Sequence, residues 1–230
     1  MKNILLLLLF FVSSNLSGQN YKVDKSRIET NFYNLKKFGN NANEGNDRVA
    51  YSNFDIQARI YLKDKLKSLG AKVIGISINI PSKPSLFQVI NLQNKITHKR
   101  IDIRNLNLLK KTFKKYKPDY VFHLAAQSLV AKSYSDPNYT WETNTIGTLN
   151  ILQSLREIKK NCIAVLITSD KSYKNLEIKR GYKENDILGG KDPYSASKAS
   201  AELVIQSYIS SFFPLTKTKL SIGIARAGNV

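Results

Sequence analysis

From Ala71 onward, short apolar runs alternate with stretches whose apolar residues recur at helical spacing. That rhythm predicts strand, helix, strand. Lys72 to Ile78 is a β-branched run suited to a buried strand, Arg100 to Ile103 reads as a short strand and Tyr120 to Leu124 as another. Ile163 to Thr168 is apolar throughout, and Leu220 to Ala225 supplies a last strand. Helices are expected over Leu106 to Tyr116, with Pro118 marking the exit, over Thr140 to Lys159 with Gly147 interrupting, and over Ser195 to Phe213. Pro81 to Leu86 reads as a loop. Strands alternating with helices over this length imply an α/β fold with a parallel, doubly wound sheet. One strand has an unusual exit. In Asp119 to Gln127 the large side chains stop at Ala125 and Ala126, so a ligand can approach the backbone there. Ligands of open parallel sheets sit beyond the carboxyl ends of the strands, which makes this stretch the predicted ligand edge.

The first part of the chain has a different pattern. Ser26 to Phe38 places Ile28, Phe32, Leu35 and Phe38 on one helical face, with Gly39 as a stop and Gly39 to Asn46 as a loop. Asn53 or Asp55 can cap a second helix running through Ile56, Tyr61, Leu62, Leu66 and Leu69 to Gly70. Before both, Met1 to Gln19 has the form of a secretory signal peptide: Lys2, the apolar run Ile4 to Val12, then small and polar residues to Gly18. The run is too short to span a bilayer comfortably as a helix. The expected division is therefore a signal segment over 1–19, a helical segment over 20–66 and the α/β domain over 67–230.

Composition adjusts this picture in two respects. The 230 residues carry a net charge of +19 and are 42% hydrophobic, enough apolar residues for one sizeable core. The lysines are spread along the chain on polar helical faces, as in Lys110–Lys111 and Lys114–Lys115, without a nucleic-acid motif, so solvated faces are the expected use. The single cysteine, Cys162, lies in an apolar run, which excludes an intramolecular disulfide and a Cys-based metal cluster. No metal site is expected.

Candidate chemistry appears where two segments converge. After Ile163 to Thr168 come Ser169, Asp170 and Lys171, and further on Tyr194 and Lys198 stand four apart, on one helix face. An ammonium beside a phenol stabilises the phenolate and lowers the tyrosine's pKa towards the range useful for proton transfer. The same spacing occurs at Tyr21/Lys25, Tyr33/Lys37 and Tyr61/Lys65, so it proves little by itself. Tyr194 differs in context: it follows a Pro-containing loop, opens a helix with small residues, and comes after a strand ending in hydroxyl and acid.

Ala71 to Val230 resembles the extended short-chain dehydrogenase/reductase superfamily, and within it the CDP-glucose 4,6-dehydratases. The resemblance rests on Lys67 to Gly75, Pro84 to Phe87, Asp102 to Arg104, Pro118 to Gln127 and Asn144 to Thr148. It continues through Thr168 to Tyr173, Gly181 to Asp186, Asp192 to Lys198 and Ala225 to Val230. Each motif is modest; their order and spacing together are specific. The resemblance implies a Rossmann-like domain binding NAD, with a nucleotide sugar, CDP-glucose, as substrate and a homodimer as the assembly. It implies Tyr194 as the base at the sugar C4 hydroxyl, Lys198 as the group that tunes it and holds the nicotinamide ribose, and Ser169 as the partner of the C4 oxygen. Asp170 would protonate the departing C6 hydroxyl, and Lys171 would stand where many hexose dehydratases carry a glutamate that removes the C5 proton. Asp102, Ile103, Leu124, Ala125, Ala126 and Asn144 would line the cofactor, and Gln127, Arg226 and Asn229 would lie towards the nucleotide sugar. The family's location is cytoplasmic, against which the signal-like start implies export.

Two departures from the family pattern are expected to matter. The family opens with a strand and a Gly-x-x-Gly-x-x-Gly turn at a helix N-terminus, where backbone embraces the pyrophosphate. Counted back from Gly70, those positions are Asn53, Ile56 and Arg59, none of them glycine. The chain also stops after Asn229–Val230, where the family continues into a substrate-binding lobe. Gly45 to Ser52, with Ile56 to Gly70 after it, resembles instead the start of hydantoinase/carbamoylase-type amidohydrolases. A junction between two unrelated sequences is therefore expected within Tyr61 to Lys72.

Overall fold

The computed structural model describes residues 8–10, 40–41, 45–46, 72–80, 85–89, 91–94, 96–214 and 219–228. The two N-terminal helices expected over 26–38 and 53–70, the glycine-turn positions 53, 56 and 59, and Asn229 lie outside them. In chain order the strands are β1 (Leu8–Phe10), β2 (Asn40–Asn41), β3 (Gly45–Asn46), β4 (Val73–Ser77), β5 (Thr97–Arg100), β6 (Tyr120–His123), β7 (Cys162–Ser169) and β8 (Leu220–Ala227). The helices are α1 (Leu86–Val89), α2 (Leu106–Tyr116), α3 (Val130–Ser135), α4 (Pro137–Trp141), α5 (Gly147–Leu155) and α6 (Pro193–Phe212).

The strands join as expected for a parallel α/β fold. β4 pairs parallel with β5 and antiparallel with β1, while β7 lies between β6 and β8, parallel to both. One core serves both groups: Ile74, Ile76, Ile101 and Ile103 join Val121, Ala164 and Leu166 beneath Leu109, Phe113, Ile151 and Leu155. Burying such a cluster is the dominant stabilising term of a domain this size. β1 lies within the apolar run that resembles an export signal, and β2 with β3 forms a two-residue antiparallel ladder inside the stretch expected to be loop.

The helix boundaries follow local chemistry. α2 matches its expected span because Asn105 caps it, accepting from Leu108 N at 3.0 Å, and Lys117 closes it in the left-handed conformation at φ 44°. The helix expected over Thr140 to Lys159 is instead α4, a π-helical turn over Glu142–Ile146, and α5. Gly147 does not break it. A Cβ there would lie 2.4 Å from Ile103 Cδ1 and 2.8 Å from its Cγ1, so the glycine is a contact surface for the buried Ile103. α1 begins at Leu86, and the short helix α3 falls in a stretch given no element from sequence.

The strand expected over Arg100–Ile103 sits earlier, at Thr97–Arg100. Its side chains are half-buried or exposed, so the polar sequence Thr-His-Lys-Arg gave no apolar run to detect. The apolar Ile101 and Ile103 flank a turn, in which the Asp102 carboxylate accepts from Arg104 N at 2.9 Å.

Candidate active site

α6 is the element from which the site is built. Asp192 caps it, accepting from Ser195 N at 3.0 Å and from the Ser195 hydroxyl at 2.6 Å, and Pro193 occupies its first turn. The loop before it approaches closely: a Cβ on Gly190 would lie 2.4–2.5 Å from the backbone of Ser195 and Ala196. Glycine is therefore required there. This start places Tyr194, Ser197 and Lys198 on the buried side of the helix, against β7 and the π-helical turn.

Lys198 is 7% exposed, and its ammonium donates to the Ile167 carbonyl at 3.1 Å. Burial pulls it down from the ordinary lysine range to about 8, with the charge of Glu202 acting against the fall. Tyr194 is buried beside it, and among the described residues no hydrogen bond joins Tyr194 to Ser169 or Lys198.

β7 brings the second segment alongside. At its end Ser169 is buried and caps a single 3₁₀ turn, accepting from Lys171 N at 3.2 Å and donating to Asp170 Oδ1 at 3.1 Å. Lys171 Nζ lies 3.3 Å from the same carboxylate oxygen. Asp170, Lys171, Tyr173, Tyr182, Asp192 and Ser195 line an open groove of about 680 Å³. Tyr173 and Tyr182 stack in its wall with ring centroids 4.9 Å apart. Asp170, Lys171 and the start of α6 therefore meet at one groove, whose lining includes none of Ser169, Tyr194 and Lys198.

The residues expected along the cofactor divide in two. Leu124, Ala125 and Ala126 leave the carboxyl end of β6, Leu124 exposed and the alanines half-buried, as a ligand edge requires. Asp102 follows β5, but Arg104 already holds both its oxygens, at 2.7–3.1 Å, and reaches Glu142 as well. Burial opposes ionisation of Asp102, and the Arg104 bonds outweigh it, so the carboxyl lies below its ordinary range. The Ile103 side chain is core.

Asn144 and two of the residues expected towards the nucleotide sugar turn inward. Asn144 accepts from Gln127 N at 2.7 Å and donates to Gln127 O at 3.0 Å and Ser197 Oγ at 2.9 Å, tying the exit of β6 to α6. Gln127 is buried and bonds Leu129 and Thr140. The Arg226 guanidinium is bonded to the Glu202 carboxylate, with Nε at 2.8 and 3.0 Å and its terminal nitrogen at 2.5 Å. Its other face covers the Tyr173 ring at 4.5 Å.

Two groups had no role assigned from sequence. Glu202 is fully buried and also accepts from Thr168 Oγ1 at 2.6 Å. Its signal was present: an acid one turn beyond Lys198, among Ala199, Ala201 and Leu203. His123 is buried at the end of β6, its Nε2 3.0 Å from Thr148 Oγ1. Thr148 gives its single proton to Asn144 O at 2.7 Å, so it accepts from His123 Nε2–H, and the imidazole's Nδ1 carries the lone pair. That nitrogen is buried without a partner among the described residues. Burial, then the charge of Lys198, depresses His123 to about 3, so the ring is neutral. Cys162 is inert as well, its thiol pushed up to about 12 by burial. Among the described residues no helix is long and apolar enough to cross a membrane, and no group of His, Cys, Asp or Glu could hold a metal ion.

Comparison with known proteins gives concordant results. The sequence model of the GDP-mannose 4,6 dehydratase family matches residues 57–221. The CDP-glucose 4,6-dehydratase of Salmonella typhimurium is 42% identical over 168 residues, which cover 72% of this chain and 47% of that protein. The dTDP-glucose 4,6-dehydratase of Haemophilus influenzae is 34% identical over 118 residues, 47% of this chain and 35% of that one. Among solved structures, UDP-glucose 4-epimerase from Thermotoga maritima with UDP-glucose aligns with a TM-score of 0.59 at 25% identity, over 72% of this chain and 50% of that one. The UDP-glucose 4-epimerase of Thermus thermophilus in complex with NAD gives 0.57 at 25% identity, over 71% and 49%. The chain thus spans about half the length of the Salmonella relative and of both structures.

Proposed function

Since the chain belongs to the GDP-mannose 4,6 dehydratase family, we propose that it is a nucleotide-sugar 4,6-dehydratase, converting CDP-glucose to CDP-4-keto-6-deoxyglucose with loss of one water. The observation that carries this reading is that α6, which bears Tyr194 and Lys198, starts beside the end of β7: Asp170 and Lys171 share a groove with Asp192 and Ser195, and Lys198 bonds Ile167 O. Similarity to the Salmonella CDP-glucose enzyme supports the choice of nucleotide.

NAD is the implied cofactor, and the described residues fit its nicotinamide half. Ala125 and Ala126 leave room at the exit of β6, and Lys198 gives one of its three N–H groups to Ile167 O, which leaves donors for a ribose hydroxyl. Bound there, NAD would supply a reversible hydride acceptor. The protein's own part is proton handling. Tyr194 takes the proton of the C4 hydroxyl, Lys198 stabilises the phenolate, and Ser169 hydrogen-bonds the C4 oxygen. Passing one proton from the Lys171 ammonium to the Asp170 carboxylate turns their ion pair into a free amine and a carboxylic acid. The amine then removes the C5 proton, and the acid protonates the departing C6 hydroxyl.

The assay is the purified protein with CDP-glucose and NAD, followed by mass spectrometry. A product lighter by one water is expected in the parent protein and absent in Tyr194→Phe; its absence from the parent under conditions where an intact relative works overturns the activity. A second reading, a folded relative without cofactor competence, is favoured by the side chains at Asn53, Ile56 and Arg59. NAD titration followed by thermal unfolding separates the two, because a ligand that binds only the folded state raises its stability. The dehydratase reading places the protein in the cytoplasm. N-terminal sequencing of cell fractions tests this, since a mature protein starting near Asn20 in an exported fraction requires the signal-peptide reading instead.

A further inference from the structure

Glu202 is a charged group with no exposed surface, and four parts of the site converge on it. It lies on α6 one turn beyond Lys198. Thr168, the residue immediately before Ser169, donates to its Oε1 at 2.6 Å. Arg226, which pairs with Thr168 across the β7–β8 ladder, holds both carboxylate oxygens. The same guanidinium donates to the Glu184 carbonyl at 3.2 Å and covers Tyr173, so it also reaches the loop that walls the groove. Both oxygens of Glu202 are taken within the protein, and all three nitrogens of Arg226 donate to it or to Glu184 O.

We propose that Glu202 and Arg226 are positioning residues of the dehydratase site: their buried pair sets the end of β7 against α6, and the Glu202 charge keeps the Lys198 ammonium beside Tyr194. This rests on the dehydratase reading for the roles of Tyr194 and Lys198 alone.

The electrostatics agree in sign. Burial works against the Lys198 charge, and Glu202 is the group that supports it. The other titratable groups around Lys198 are Tyr194 on its own helix and neutral His123 from β6, with Arg226 from β8 beyond Glu202. A pair serving only as scaffold would affect stability and leave the titration of Lys198 where it is.

The test follows isotope-labelled lysine side chains of the full-length protein by NMR across pH, without NAD or sugar. The signal lost in Lys198→Met is expected to titrate near 8, apart from the exposed lysines. In Glu202→Gln its midpoint is expected to fall by about one pH unit, because a supporting charge is lost and Arg226 is left unpaired. That variant leaves a buried cation without a partner, so the double variant Glu202→Leu/Arg226→Leu is measured beside it and decides the matter if the single one does not fold. A smaller fall in the same direction is expected there. A folded variant whose midpoint equals that of the parent overturns the proposal, as does a parent Lys198 that titrates with the surface lysines. Since neither measurement involves turnover, a negative dehydratase assay removes the roles of Tyr194 and Lys198 and leaves the effect of the pair on Lys198 standing.

Discussion

Two arginine–carboxylate pairs stand at the carboxyl ends of the strands, and they do different things. Beyond β5, Arg104 holds Asp102 two residues away, with side chains 33% and 27% exposed, and adds Glu142 at 2.9 Å. At the end of β8, Arg226 holds Glu202, 24 residues away in sequence, with side chains 13% and 0% exposed. The first pair turns the chain and is solvated. The second joins three elements and is largely withdrawn from water. A pair in water contributes little because solvent competes for both charges, whereas a buried pair becomes indispensable once one partner is removed.

The largest expected effect comes from breaking the buried pair on one side. Arg226→Met leaves Glu202 charged and buried, and should cost about 3–5 kcal/mol in chemical denaturation. The double Leu variant leaves no uncompensated charge and should recover most of that loss. If the single substitution costs no more than the double, the contrast between the two pairs fails.

Next in size is Gly147→Ala, which probes what holds the β5 exit in place of its ion pair. The added methyl meets Ile103, so a loss of about 1–3 kcal/mol is expected. Combining it with Ile103→Ala should give less than the sum of the two single losses.

Proton linkage sharpens the comparison further. His123 is depressed to about 3 from 6.5 in the unfolded chain, so between those values the unfolded state binds more protons and stability falls as pH is lowered. His123→Phe should flatten that part of the pH–stability curve. Lys198 is lowered from 10.5 to about 8, so it too binds more protons unfolded within that window, and stability rises with pH there. The advantage of Lys198→Met over the parent protein should therefore be greatest below pH 8 and shrink above it. The smallest effect belongs to the exposed pair: Asp102→Asn should cost under about 1 kcal/mol in the same denaturation experiment.

What could be read from the sequence followed from periodicity. β7 is apolar without interruption from Cys162 to Ile167, β8 carries Leu220, Ile222 and Ile224 in alternation, and α2 has helical spacing that ends before Pro118, so their positions were legible. That Asp170 and Lys171 meet the start of α6 was legible because a strand end and a helix start face one edge of a parallel sheet. β5 was misplaced because an edge-like strand of Thr, His, Lys and Arg has no apolar period. The functions of polar residues were harder to see. Asn144, Gln127 and Arg226 are residue types that serve a ligand or a buried network equally well, and only the coordinates show that all three are bonded internally. The converse held for Glu202, a charge that a helical wheel places inside and that gains meaning only from Thr168 and Arg226 across the sheet.

The position of Arg226 on the last strand has a consequence for how the chain assembles. During synthesis Glu202 leaves the ribosome before its partner exists. A carboxylate with nothing to neutralise it resists burial, so docking α6 onto β7 carries a penalty until β8 arrives in the register that sets Arg226 beside Thr168. A slip of one residue would turn Arg226 to the opposite side of the sheet and leave Glu202 unanswered. The acid thus makes docking of α6 costly until β8 supplies its arginine.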